Sequence, residues 1–133
     1  MDTERLLGQK IDQYKIEQHV ARGGMADVYL AQDEDLQRRV AFKVMLDTLA
    51  TDEQFVRRFR REARTVARLD HPNIVQVYST GQTPQGQPYI AMQYIPGGSL
   101  REKLEELAER NKLLTTEQVL NIMRQLAIAL GIA

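Results

Sequence analysis

Short apolar runs that alternate with polar residues dominate the first half of the chain, and a helical period takes over in the second half. The run Arg39-Val40-Ala41-Phe42-Lys43-Val44-Met45 is β-branched and apolar except for one interior charge, and reads as a buried strand. Two strand-like runs precede it, Tyr14 to Val20 and Val28 to Ala31, with a Gly23-Gly24 turn between them and an acidic turn, Asp33-Glu34-Asp35, after the second. From Thr51 the spacing becomes helical. Phe55, Phe59, Val66 and Leu69 make an apolar stripe, Glu62 takes its remaining slot, and Thr51-Asp52-Glu53-Gln54 reads as a capping box. Two further strands, near Val75 to Ser79 and Tyr89 to Tyr94, flank the turn-rich Thr83-Pro84-Gln85-Gly86.

Pro96-Gly97-Gly98 breaks the chain. Beyond it, Ser99-Leu100-Arg101-Glu102 opens a helix to about Asn111, and Thr115-Thr116-Glu117-Gln118 opens another to about Leu130. The first 13 residues read as a flexible, frayed polar arm. The pattern therefore predicts the α+β class: a five-stranded antiparallel sheet with one packed helix over 14–95, followed by two helices over 96–133.

Composition narrows the function. The 133 residues are 43% hydrophobic and 27% charged, enough for one compact domain, and the formal net charge of zero gives no argument for nucleic-acid or membrane attraction, so neither partner is expected. Cysteine is absent, which excludes disulfides and thiolate zinc sites and agrees with a reducing, cytoplasmic setting. No run is long and apolar enough to span a bilayer, and Asp2, Glu4 and Arg5 make the start unlike a signal peptide. His71 precedes Pro72 in a turn and reads as a local hydrogen-bonding residue; no metal site is expected.

The chemistry lies in two isolated charges. An ionised Glu62 on an apolar stripe needs a cation from another element, and Lys43, alone inside its strand, is the candidate. The pair could be a structural salt bridge or part of a binding site. Glycines at 23 and 24, between two strands and just upstream of the Lys43 strand, would let backbone N–H groups approach a phosphate, although an ordinary hairpin turn needs the same residues. Arg57, Arg61, Arg64 and Arg68 form a second stripe, either a solvated face or a docking surface for an acidic or phosphorylated segment.

With these residues the chain resembles the eukaryotic-like (Hanks-type) protein kinases, and most closely the bacterial serine/threonine kinases. Ala21-Arg22-Gly23-Gly24-Met25-Ala26-Asp27-Val28 is similar to the Gly-rich loop, with alanines at its first and third glycine positions, and Val40-Ala41-Phe42-Lys43 to the V-A-I-K strand. Arg58 to Ala63 resembles the family's C helix, His71-Pro72-Asn73-Ile74-Val75 the turn into its fourth strand, and Tyr89 to Leu100 its fifth strand and hinge.

The resemblance implies an ATP-binding N-lobe over 14–95 and the start of a C-lobe over 96–133. Lys43 would grip the α- and β-phosphates and Glu62 would hold Lys43; Ala21, Gly23, Gly24 and Ala26 would cover the phosphates. Val28 and Ala41, otherwise plain core, would sandwich adenine. Met92 would stand at the gatekeeper position, Gln93 and Ile95 would offer backbone groups to adenine, and Leu100 would close the pocket floor. The H-R-D and D-F-G motifs, which carry the catalytic aspartate and hold Mg2+, do not occur in the sequence, so phosphoryl transfer to protein serine or threonine is expected only of a complete domain. The competing reading is a non-catalytic, kinase-derived interaction module. In either case the apolar side of the last helix, Val119, Ile122, Met123, Leu126 and Leu130, leads us to expect a homo-oligomer.

Overall fold

The structure, a computed structural model, describes residues 5–132. The chain divides into two compact units, one of Met1–Asp70 with Val75–Tyr94, the other of His71–Ile74 with Ile95–Ala133. The first unit holds an antiparallel sheet of six strands, β1 (Lys10–Ile11), β2 (Tyr14–Arg22), β3 (Ala26–Asp33), β4 (Arg38–Met45), β5 (Val77–Gln82) and β6 (Pro88–Gln93), ordered β1-β2-β3-β4-β6-β5, with helix α1 (Glu53–Ala67).

Alternation sends the residues of β4 to two different cores. Val40, Phe42 and Val44 point to one face, where Tyr14, Ile16, Tyr29, Ala31, Tyr89 and Ala91 complete a buried cluster. Its centre is aromatic, with the Phe42 ring stacked on Tyr89 at 4.4 Å and Tyr14 tilted against Phe42 at 5.6 Å. Each of these large side chains, fully removed from water, contributes about 1.5–3 kcal/mol. Met45 points the other way and packs with Ala26, Ile90 and, from α1, Phe59 and Ala63. Asp52 caps α1, its carboxylate accepting the Gln54 N–H at 2.9 Å. The cap thus sits one residue later than Thr51, because an aspartate satisfies the free N–H groups as well as a threonine does.

The expected count of five strands is corrected to six. Asp12 adopts a left-handed conformation (φ 53°), which turns the chain so that Ile11 pairs with Tyr14 and Lys10 with Lys15. The first four residues of the expected arm lie outside the described residues. The rest is not frayed: Leu6 and Ile11 are both 2% exposed and belong to the aromatic core. Two apolar side chains among polar neighbours carry too little periodicity to announce this in sequence. β5 runs to Gln82 rather than stopping at Ser79, with Gly81 opposite Tyr89.

In the second unit, α2 (Leu100–Glu109) and α3 (Thr116–Ile132) begin where the capping patterns placed them. Ser99 Oγ accepts the Glu102 N–H at 3.1 Å. At α3 the box is reciprocal: Gln118 N–H donates to Thr115 Oγ1 at 3.1 Å while Thr115 N–H donates to Gln118 Oε1 at 2.9 Å. Asn111, at φ 55°, ends α2 in a left-handed cap. His71 acts locally, its Nδ1 accepting the Asn73 N–H at 3.1 Å.

Candidate functional site

The sheet register brings half of the predicted site residues to one face. Val28 lies opposite Lys43 and Lys43 opposite Ile90, while Ala41 lies opposite Met92 and Ala21 opposite Val28. Directly paired residues share a face, so Ala21, Val28, Ala41, Lys43 and Met92 present their side chains together. Ala26, opposite Met45, belongs to the same face. Val28, Ala41, Lys43 and Met92 are half-buried, and together they give an apolar surface with one ammonium in it.

Glycines 23 and 24 sit at the tip of the β2–β3 hairpin. Gly23 N–H donates to Ala26 O at 2.8 Å and Leu46 N–H to Met25 O at 2.9 Å. Neither glycine has a positive φ, so the turn does not demand them. What glycine provides is open space: a Cβ at Gly24 would meet nothing within 4 Å, and one at Gly23 only Ala26 O at 3.6 Å. The backbone there is open to approach.

Lys43 and Glu62 are not brought together in this structure. Lys43 Nζ lies 5.9 Å from the centre of the Phe59 ring, and among the described residues no ion pair includes either side chain. Ala63, 2% exposed, fills the place on the helix stripe that was expected for Glu62, which is exposed. The reason is geometric. From Phe59, positions 63 and 66 turn by about +40° and −20° while 62 turns by about −60°, so a carboxylate at the stripe's edge can rotate into water and escape desolvation. Along the second stripe of α1, Arg57, Arg61, Arg64 and Arg68 are exposed, as either a solvated face or a docking surface requires, with Arg57 3.8 Å from Glu53.

Of the remaining predicted residues, Gln93 belongs to the first unit and donates its backbone N–H to Gln76 O at 2.8 Å, while its side chain accepts the Gln76 N–H at 3.2 Å. Ile95 and Leu100 belong to the second unit and are 51% and 45% exposed.

One constellation escaped the sequence. On the opposite face of the sheet the Asp27 carboxylate, buried, accepts Arg22 Nε at 2.8 Å on Oδ1 and Arg22 Nη2 at 2.8 Å on Oδ2, and His19 Nε2 lies 3.0 Å from Oδ1. The two-pronged Arg22 contact holds Asp27 below the usual carboxylate range, against the opposing effect of burial. The only sequence signal was a His and an Asp in neighbouring strands across a tight turn.

The family model described as protein kinase domain matches residues 14–132, and the chain belongs to that family. It is 42% identical over 127 residues to the serine/threonine-protein kinase PrkC of Bacillus subtilis, covering 95% of this chain and 19% of that protein. It is 40% identical over its whole length to the serine/threonine-protein kinase PknJ of Mycobacterium tuberculosis, covering 22% of that protein. The crystal structure of the M. tuberculosis PknI kinase domain superposes with a TM-score of 0.73 at 34% identity, over 92% of this chain and 48% of that one. The chain therefore spans about a fifth of the curated relatives and about half of the crystallised kinase domain.

Proposed function

We propose that this chain is the ATP-binding portion of a serine/threonine protein kinase, with Lys43 contacting the α- and β-phosphates and Val28 and Ala41 against adenine. The observation that carries the reading is a half-buried ammonium with no anionic partner among the described residues, set in an apolar sheet face below an uncovered glycine turn. Such a cation is stabilised by a polyanion whose flat apolar part covers the rest of the face. Ala21 and Ala26 belong with the glycines over the phosphates, and Met92 and the backbone of Gln93 toward adenine. The roles of Ile95 and Leu100 rest on the family resemblance alone. Glu62 is assigned as the partner Lys43 acquires when nucleotide is bound. Mg2+ and a protein substrate belong to the complete kinase domain, because the H-R-D and D-F-G residues are not in this sequence. The cytoplasm, where ATP is abundant, is the compartment that fits this reading, and none of the described helices is long and apolar enough to cross a membrane.

The test is calorimetric titration with ATP. Submillimolar binding that is lost in Lys43→Ala supports the reading, and unchanged affinity in both Lys43→Ala and Glu62→Ala on folded protein refutes it. The chain alone should show no phosphoryl transfer, and Lys43-dependent radiolabel transfer by the purified chain would overturn that part. A second reading, a non-catalytic module that assembles through α3, is favoured by one observation: Leu120, Met123, Leu126 and Leu130 are 62%, 59%, 55% and 75% exposed. It requires self-association at micromolar concentration that an Ile122→Glu, Leu126→Glu variant abolishes, and a strictly monomeric chain excludes it.

A further inference from the structure

We infer that His19, Asp27 and Arg22 form a positioning triad that sets the Gly23–Ala26 hairpin tip for nucleotide from the face of the sheet opposite Lys43. The inference rests on the nucleotide-binding reading above. The pairing of β2 with β3 departs from regularity near the turn. Arg22 lies opposite Asp27 and His19 opposite Tyr29, which puts all four on one face, yet positions 19 and 22 are three apart and would fall on opposite faces of a regular strand. The irregularity between His19 and Ala21 supplies the extra residue, Val20, which is 51% exposed. The bulge therefore delivers the imidazole to the same carboxylate that Arg22 grips. An edge contact with the Tyr29 ring, at 5.2 Å between centres, fixes its plane.

Asp27 is 5% exposed, and both of its oxygens are engaged. Arg22 and Asp27 are also the last paired residues before the turn. The two glycines beyond them have almost no packing of their own, since added Cβ atoms at 23 and 24 meet at most one backbone oxygen, whereas Ala26 is buried against Met45 and Phe59. Two adjacent glycines left to themselves sample a wide range of backbone angles, and that freedom must be lost when the tip's N–H groups converge on phosphate. A two-pronged, partly desolvated ion pair at the neck of the hairpin restricts the tip before any ligand arrives, which is how preorganisation raises affinity. It also keeps the Arg22 guanidinium on the face away from Lys43. Arg5, Asp47 and Gln87 line the small cleft beside Arg22 and Asp27; Arg5 pairs with Asp47 at 3.2 Å and donates to Gln87 at 2.9 Å.

The experiment compares the full chain with Asp27→Asn, which keeps side-chain size and loses the charge, in two readouts: ATP affinity by calorimetry and amide hydrogen exchange without nucleotide. The expected result is binding weaker by about tenfold, with amides of 23–26 exchanging roughly tenfold faster while those of β4 and β6 keep their rates. Asp27→Glu, which restores the carboxylate, should recover part of both. If Asp27→Asn does not fold, Arg22→Lys serves, because it keeps the charge but cannot make the two-pronged contact, and it should show both effects in smaller measure. Wild-type affinity and exchange in these variants, or tighter ATP binding through a released Arg22, overturns the triad's role and leaves the nucleotide reading standing. Absence of ATP binding by the unsubstituted chain overturns the nucleotide reading and this inference with it.

Discussion

Replacing Gly81 by alanine should be among the most damaging single-methyl changes in this fold. Gly81 has an ordinary backbone conformation, so the damage does not come from dihedral strain; it comes from the Tyr89 ring that lies across it. A Cβ built at 81 falls 2.7 Å from Tyr89 Oη and 2.8 Å from both Cε2 and Cζ. The ring has little room to retreat, because it is stacked on Phe42 at 4.4 Å and its hydroxyl donates to the Asp12 carboxylate. Forcing a methyl into such a contact costs about 1–3 kcal/mol. If the ring tilts away, the hydrogen bond to a charged acceptor goes with it, at about 1.5–3 kcal/mol. We expect a total of about 3 kcal/mol, which over a chain of 133 residues lowers Tm by roughly 11 °C. Urea unfolding followed by circular dichroism measures it, and a double-mutant cycle with Tyr89→Phe isolates the cause. The phenylalanine has no hydroxyl to clash or to lose, so Gly81→Ala should cost at least about 1 kcal/mol less in that background. A loss below about 0.5 kcal/mol for Gly81→Ala, or additivity of the two changes within that margin, refutes the reasoning.

Three further outcomes are expected. Burial raises the phenol pKa of Tyr14 and Tyr89, so the folded state favours their neutral forms; this stability is complete below pH about 10 and falls as pH rises through the folded-state values, and the phenolate absorbance removed by Tyr14→Phe or Tyr89→Phe should rise at higher pH in the folded than in the unfolded protein. Asp27, held low chiefly by Arg22, contributes stability that is present above the ordinary carboxylate pKa of about 4 and is lost as pH falls through its folded value, so Arg22→Gln should flatten the acid limb of a stability–pH curve, and an unchanged limb contradicts the assignment. Thr115→Ala removes one bond of the reciprocal cap and should cost α3 about 1 kcal/mol, visible as reduced helicity, whereas Thr116→Ala should have little effect.

Local chemistry was legible wherever a residue's neighbours in sequence are also its neighbours in space. The capping boxes at Ser99 and Thr115 bond within three residues, so four letters suffice to place both helix starts. The run containing Lys43 could be read as a buried strand because only a strand with two covered faces uses so many β-branched and apolar residues in succession. The candidate face formed by Val28, Ala41, Lys43 and Met92 followed once the motifs were recognised, since the antiparallel register then puts those residues opposite one another.

Tertiary structure decided whatever depends on a phase or a distant partner. Glu62 and Ala63 are adjacent in sequence, and a rotation of α1 by about one residue settles which of them faces the sheet; it is the alanine, because burying a lone carboxylate costs more than burying a methyl gains. Leu6 and Ile11 looked like parts of a loose arm until the aromatic cluster some tens of residues away offered them a dry surface. The His19–Asp27–Arg22 group depends on a single bulged residue, and a bulge has no composition of its own. The sequence by itself determined which elements form and which residue types carry charge. The three-dimensional packing determined which of those charges meet, because pairing is governed by register and rotation, and a one-residue change in either reverses the face a side chain sees.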